Sequence, residues 1–203
     1  MFLLELFNLI AVFVFAISVA LPAIKKKFDL FGIAFISFVI SVGGGTIRDI
    51  MLGHFPISWL HKSDFSVSIG LGLLITFLFT KRLSKLRKTF FWFDTIGIGV
   101  STVVGVHKGL EAGLEPVLTI FFGLISAVCG GIIRDTLCNQ VPLIFRKEVY
   151  ATPCIVGGAF YVGLYELGVD EEIIMFASIL LIITLRILAI KFKVQIPDLV
   201  KKL

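Results

Sequence analysis

Two short stretches of this 203-residue sequence place ionisable side chains directly after glycines and inside apolar surroundings. They are Gly43-Gly44-Gly45-Thr46-Ile47-Arg48-Asp49 and Cys129-Gly130-Gly131-Ile132-Ile133-Arg134-Asp135. Adjacent Arg and Asp can form buried ion pairs, hold a substrate carboxylate, or give a charged lining to an ion pathway. They do not make a nucleophile with its base. His54, His61 and His107 lack ligand spacing of the HExxH kind, and Cys129, Cys138 and Cys154 have no CxxC spacing. With no nucleotide loop either, the sequence points away from an enzyme and implies no metal or cofactor.

The elements that must position these charges follow from composition. Hydrophobic residues make up 58% of the chain, charged residues only 16%, and there are 21 Phe. Mean hydropathy is +1.04. A soluble domain of this size averages about 25% charged residues and cannot hide so much apolar surface. The apolar runs are continuous rather than alternating, as spanning helices require and barrel strands do not. The chain therefore reads as an all-α integral membrane protein.

At about 20 residues per span, seven helices fit. They are expected at Met1–Leu21, Phe28–Val42 with a further piece Thr46–Leu52, Phe65–Thr80, Phe90–Val106, Pro116–Cys129 with a further piece Ile132–Leu137, Val149–Leu167, and Ile173–Ile190. The first run lacks a basic n-region and is long for a signal peptide, so it is read as a retained span. Seven spans put Lys62 and Lys108 on one side. The other side receives Lys25, Lys26, Lys27, Lys81, Arg82, Lys85, Arg87, Lys88, Arg146, Lys147, Lys191, Lys193, Lys201 and Lys202. Basic residues accumulate on the cytoplasmic side, so the N-terminus is expected outside and the C-terminus in the cytoplasm of a plasma-membrane protein. The net charge of +5 then reflects this bias and contact with anionic lipid, and nucleic acid is not needed to explain it.

The two glycine stretches recur at an offset of 86 residues, which also pairs Pro56 with Pro142 and Asn8 with Asp94. This marks an internal duplication. Residues 1–82 form a first three-helix repeat, 83–168 a second, and 169–203 a seventh helix with a basic tail. Three spans per unit make the second copy enter from the opposite side, giving an inverted 3 + 3 + 1 layout.

Gly43-Gly44-Gly45 and Gly130-Gly131 are each expected to break their helix, the second and the fifth, near mid-membrane. The first lies about 22 Å along its helix from Phe28 at 1.5 Å per residue. Broken helices with buried charge at a repeat interface read as a transport pathway. Gly72 and the other scattered glycines read as packing positions. Neighbours on a helix point about 100° apart, so symmetry suggests that Arg48 pairs with Asp135 and Arg134 with Asp49. Asp94 sits one turn into the fourth span, to cap it or line a vestibule. Arg186 is expected to snorkel to the inner surface. Lys147 and Glu148 open the sixth span, as a solvated helix start or as a gate or lipid contact.

The paired glycine-then-Arg-Asp stretches, the Phe145–Pro153 segment FRKEVYATP and the 3 + 3 + 1 layout resemble the bacterial branch of the trimeric intracellular cation (TRIC) channels, a family also labelled glycine-transporter-like. The resemblance covers nearly the whole chain. It implies a homotrimer with one pore per subunit, second and fifth helices kinked at the glycines, and passage of K⁺ and Na⁺. In animal relatives a Lys-Glu-Val motif is linked to gating and phosphoinositide; Lys147-Glu148-Val149 matches those letters. Cys129 departs from the pattern by replacing the first glycine of the second stretch. Two functions stay open on the residues themselves: a monovalent cation channel, or a secondary transporter for a small amino acid such as glycine. Membrane Arg residues favour a carboxylate substrate, whereas Arg residues neutralised by Asp leave the pathway to cations.

Overall fold

The computed structural model describes residues 2–85 and 89–195; Arg87, Lys88, Lys201 and Lys202 of the charge count lie outside them. Seven α-helices follow in order: α1 Phe2–Lys25, α2 Leu30–Met51, α3 Ser63–Lys85, α4 Thr89–Glu111, α5 Pro116–Leu137, α6 Thr152–Glu166 and α7 Glu171–Lys191. A 3₁₀ turn, Leu143–Phe145, precedes α6. There is no strand among the described residues, only one isolated bridge between Glu148 and Gln195. Six of the helices are long and apolar enough to cross a membrane. The exception is α6, which starts at Thr152 instead of Val149 and has 15 residues.

α4 is the central element. It packs on α1, α5, α6 and α7, while α1 also carries α2 and α3. Val103, Val104, Val106, Tyr161, Ile174 and Ile182 meet in the core between α4, α6 and α7. Pro22 does not stop α1, which runs one further turn to Lys25. The turn closes with Lys27 at φ 61° and a hydrogen bond of 3.2 Å from the Phe28 amide to the Ala23 carbonyl.

The expected helix breaks do not occur. α2 runs unbroken through Gly43, Gly44 and Gly45, and α5 through Cys129, Gly130 and Gly131. The physical reason is the solvent. Glycine costs a helix about 1 kcal/mol relative to Ala, but an unpaired backbone group in hydrocarbon costs several. The glycines instead let the two helices touch. A Cβ on Gly44 would lie 2.3 Å from the Ser126 carbonyl oxygen, and one on Gly130 would lie 3.1 Å from that of Ile40. Ser126 is the offset mate of Ile40, so the two contacts are reciprocal. Gly72, too, is a close approach, because its Cβ would meet the Phe13 carbonyl oxygen at 2.9 Å.

The ends of α2 and α5 close in the same way. The His54 amide donates to the Asp49 carbonyl at 2.9 Å and the Gln140 amide to that of Asp135 at 2.8 Å. Gly53 and Asn139, again offset mates, take the left-handed conformation at φ 68° and 49°, the usual device for turning a chain off a helix.

Candidate functional site

The two helix ends carry two buried charge clusters at opposite ends of the bundle. The N face is the end where α1 begins and α4 ends; the C face is where α7 ends. Arg48, Asp49, Arg134 and Asp135 are all buried. They do not pair across the helix crossing. Arg48 bonds its own neighbour, with Nε and Nη2 donating to Asp49 Oδ1 at 2.9 and 2.8 Å. Arg134 Nε donates to Asp135 Oδ1 at 2.8 Å. An Arg side chain is long enough to wrap across the angle between adjacent positions, which the reading from helix geometry alone underestimated. A Cβ added one turn earlier, at Gly45 or Gly131, would stand 3.6 Å from the Nη2 of its own Arg, an ordinary contact, whereas at Gly131 it would meet the Tyr150 hydroxyl at 2.6 Å.

On the N face, Asp49 is shared by two cations. Lys108 of α4 brings Nζ to 3.0 Å from Asp49 Oδ1 and donates to Ser58 Oγ at 2.9 Å. The other carboxylate oxygen accepts from Ser58 Oγ at 2.6 Å and from the Ser58 amide at 3.2 Å. Arg48 Nη1 reaches Ser126 Oγ at 3.3 Å. Thr46 Oγ1 donates to the Val42 carbonyl and accepts from Trp59 Nε1 at 2.9 Å, which fixes the loop over the cluster. The described residues of this cluster hold two positive charges against one negative.

A cleft opens to this cluster from the N face. Its mouth, about 270 Å³, is lined by Glu5, Asn8, Ser58, Lys62, Lys108 and Glu111 among others. Asn8, Ser58 and Phe65 continue into a narrower recess whose polar walls are Ser41, Ser101, Ser126 and Arg48. Ser41 Oγ is buried without a protein partner. Glu5 and Lys62 are ion-paired across the rim.

On the C face the cluster is built differently. Asp94 is fully buried and caps nothing. Its Oδ1 accepts from Arg134 Nη1 at 2.6 Å and its Oδ2 from Arg186 Nη2 at 3.0 Å. Arg186 is therefore 1% exposed and does not snorkel. A carboxylate on a neighbouring helix holds it more strongly than the interface could. Its Nη1 donates to the Val149 carbonyl at 3.2 Å, and its guanidinium lies 4.5 Å over the Tyr150 ring. Arg134 stacks likewise on Phe90 at 4.5 Å. Asp135 Oδ2 accepts from the Leu143 amide at 2.9 Å. Two positive and two negative charges balance here.

Lys147 and Glu148 do not form the first turn of α6; they lie in the irregular segment between the 3₁₀ turn and α6. Glu148 bridges to Gln195 and shares a cavity of about 190 Å³ with Arg186 and Lys193. Cys129 is half-buried, Cys138 and Cys154 are buried, and all three are free thiols. No metal-holding group of three ligands occurs among the described residues. Sequence reading missed Lys108, Ser58 and Tyr150 as members of the clusters. For Asp94 and Arg186 the signal was present in the Asn8-to-Asp94 change between offset mates and in the depth of Arg186 within its apolar run.

A family model described as "Glycine transporter" matches this chain twice, at residues 5–81 and 91–166. The UPF0126 inner membrane protein YadS of Escherichia coli is 33% identical over 195 residues, covering 94% of this chain and 93% of the relative. The TRIC trimeric intracellular cation channel orthologue from Rhodobacter sphaeroides superposes with a TM-score of 0.90 at 29% identity, over 96% of this chain and all of that one. This chain belongs to the bacterial TRIC family. A second TRIC cation channel structure, solved to explain conductance, matches with a TM-score of 0.86 at 35% identity over 96% of both chains. Its TRIC-like, all-helical fold and its six apolar helices make this family member a multi-pass membrane protein, and its relatives are channels and membrane proteins rather than enzymes.

Proposed function

We propose that the chain is a channel for monovalent cations, K⁺ and Na⁺, with one pore in each subunit of a homotrimer. The observation that carries this reading is the polar cleft that runs from the N face past Asn8, Ser58 and Ser101 to Arg48 and Ser126 beside the α2–α5 crossing. Hydroxyl and amide oxygens at such a depth suit an ion that sheds part of its water. The named TRIC relatives are cation channels, which supports the same assignment. The pathway passes beside Gly43, Gly44, Gly45 and Thr46 of α2 and Cys129, Gly130 and Gly131 of α5. Arg48–Asp49 and Arg134–Asp135 are its charge pairs, and Lys147 and Glu148 stand at the cytoplasmic exit, within reach of membrane lipid.

The inverted repeat, 1–82 and 83–168 with 169–203 outside it, is part of the proposal. It is supported by the double match of the family model and by the reciprocal contacts of Gly44 with Ser126 and Gly130 with Ile40. α6 crosses as a short sixth span, making seven in all, so the N face is external and the C face cytoplasmic.

Recording from the purified chain in planar bilayers tests the reading. Discrete conductance steps, with reversal potentials in KCl gradients that follow the cation, are expected. Saturable glycine uptake without conductance steps would favour the carrier, a reading that the family description and the mixed charges of Glu5, Lys62, Lys108 and Glu111 at the cleft mouth support.

A further inference from the structure

The two charge clusters are built on offset mates, and they differ by one carboxylate. On the C face, Arg134 Nη1 donates to Asp94 Oδ1 at 2.6 Å, and Asp94 with Asp135 balances Arg134 and Arg186. The mate of Arg134 is Arg48, and the mate of Asp94 is Asn8. On the N face, Arg48 Nη1 meets no carboxylate among the described residues; it reaches the Ser126 hydroxyl at 3.3 Å. Asn8 and Arg48 both line the recess below the cleft. We propose that this recess is a binding site for a small monovalent anion such as chloride, which takes the place that the Asp94 carboxylate holds on the C face. The inference goes beyond the channel reading and does not depend on it.

Three observations support it. The first is charge. Arg48 and Lys108 bring two positive charges to the single Asp49 carboxylate, and a buried charge without a partner is costly. Glu5 and Glu111 do not supply the difference. Glu5 pairs with Lys62 and Glu111 faces His107, and both stand about half-exposed at the mouth, outside the recess. The second is the kind of group that faces the recess. Asp49 is one of its walls but is saturated. Its Oδ1 accepts from Arg48 Nε, Arg48 Nη2 and Lys108 Nζ, and its Oδ2 from the Ser58 amide and hydroxyl. A carboxylate has about four lone-pair sites, so none is left for a cation. Donors remain. Arg48 Nη1 carries a second N–H, and Asn8 Nδ2 spends one hydrogen on the Leu4 carbonyl at 3.1 Å and keeps the other. Ser41 Oγ is buried without a protein partner. The third is size. The recess measures about 30 Å³, where a single water needs about 10–15 Å³, so it suits one small ion and not a bulky organic anion. For the proposed cation path the consequence is that Arg48, so paired, presents no net charge to a passing K⁺.

The test uses the full purified chain in detergent at constant K⁺, with chloride replacing gluconate. The chloride NMR line width should show a saturable excess broadening, and the melting temperature should rise with the same saturation. Asn8→Asp gives the N face the carboxylate of the C face. It should abolish the broadening and raise the melting temperature in gluconate alone. Ser41→Val should abolish the broadening, and Ser41→Ala should weaken the affinity several-fold if the valine disturbs folding. Ser37→Ala should leave it unchanged, because Ser37 Oγ is equally buried and unpartnered but lies outside the recess walls. Formate, a bare carboxylate, should displace chloride. If glycine displaces it at lower concentration than formate, the recess is the carboxylate subsite of the carrier and the free-anion assignment falls. Absence of saturable broadening in the unsubstituted chain would mean that the recess takes water only. Equal broadening in Asn8→Asp and Ser41→Ala would place the chloride elsewhere, and either result overturns the proposal while leaving the channel reading to the bilayer recordings.

Discussion

Arg186 of α7 and Asp94 of α4 are joined at 3.0 Å in the buried interior, and that same carboxylate holds Arg134 of α5 at 2.6 Å. Asp94 thus ties the last helix to the end of α5, at the position where its offset mate on α1 is an uncharged Asn8. A carboxylate serving two guanidinium groups cannot be removed without leaving both underpaired. Asp94→Asn should therefore destabilise the protein in detergent by about 3 to 5 kcal/mol, the usual cost of breaking a buried pair. Thermal unfolding followed by exposure of the buried Cys138 and Cys154 thiols checks this. Adding Arg186→Met should recover part of the loss; a double variant as unstable as the single would mean that Arg186 is not held by Asp94.

The charge pairs themselves make a sharper claim. Arg48 and Asp49 are bonded to each other, as are Arg134 and Asp135. A double-mutant cycle on Arg48 and Asp49 should give a coupling above about 1 kcal/mol, and a cycle on Arg48 and Asp135 a coupling within about 0.5 kcal/mol of zero. Substantial coupling in the second cycle would restore the cross-repeat pairing that symmetry suggested.

What the sequence disclosed and what it concealed divide along physical lines. Composition and run length gave the helices, because the bilayer leaves the backbone few alternatives. The offset of 86 residues disclosed the matching ends at Asp49 and Asp135. The glycines were misread as breaks because helix propensity was weighed as in water. In hydrocarbon the backbone bonds are retained, and the missing side chains are used for the contact of Gly44 with Ser126. Pairing of the charges was misassigned because it depends on side-chain reach and on loop residues such as Ser58, which no periodicity marks. Lys108 looked like one of two stray external lysines, and only the packing of α4 against α2 and the 53–62 loop placed it on Asp49.

Sidedness is the next expectation. If α6 crosses despite its 15 residues, Lys26→Cys should be labelled from the cytoplasm and Asp170→Cys from outside. An impermeant maleimide applied to intact cells and to inverted vesicles separates the two. Labelling of both positions from one side would require α6 not to span.

The glycines give the last prediction. Gly44 lies so close to α5 that even one added carbon would sit 2.3 Å from the Ser126 carbonyl oxygen, a backbone atom that no rotamer change can move. Gly44→Ala must therefore push α2 and α5 apart, disturbing the recess where Arg48 meets Ser126. Gly130→Ala is less severe, since its Cβ would stand 3.1 Å from the Ile40 carbonyl oxygen and a small shift relieves it. Gly72 is no neutral reference, because α1 meets it at 2.9 Å; Gly70 and Gly163 are, with nothing within 4 Å of either added carbon. Melting temperature and ion flux should fall most for Gly44→Ala and less for Gly130→Ala. They should be unchanged or slightly improved for Gly70→Ala, where a better helix former replaces glycine at no steric cost. If Gly44→Ala melts and conducts like Gly70→Ala, the helices do not cross at these residues, and the site built around their contact is wrong.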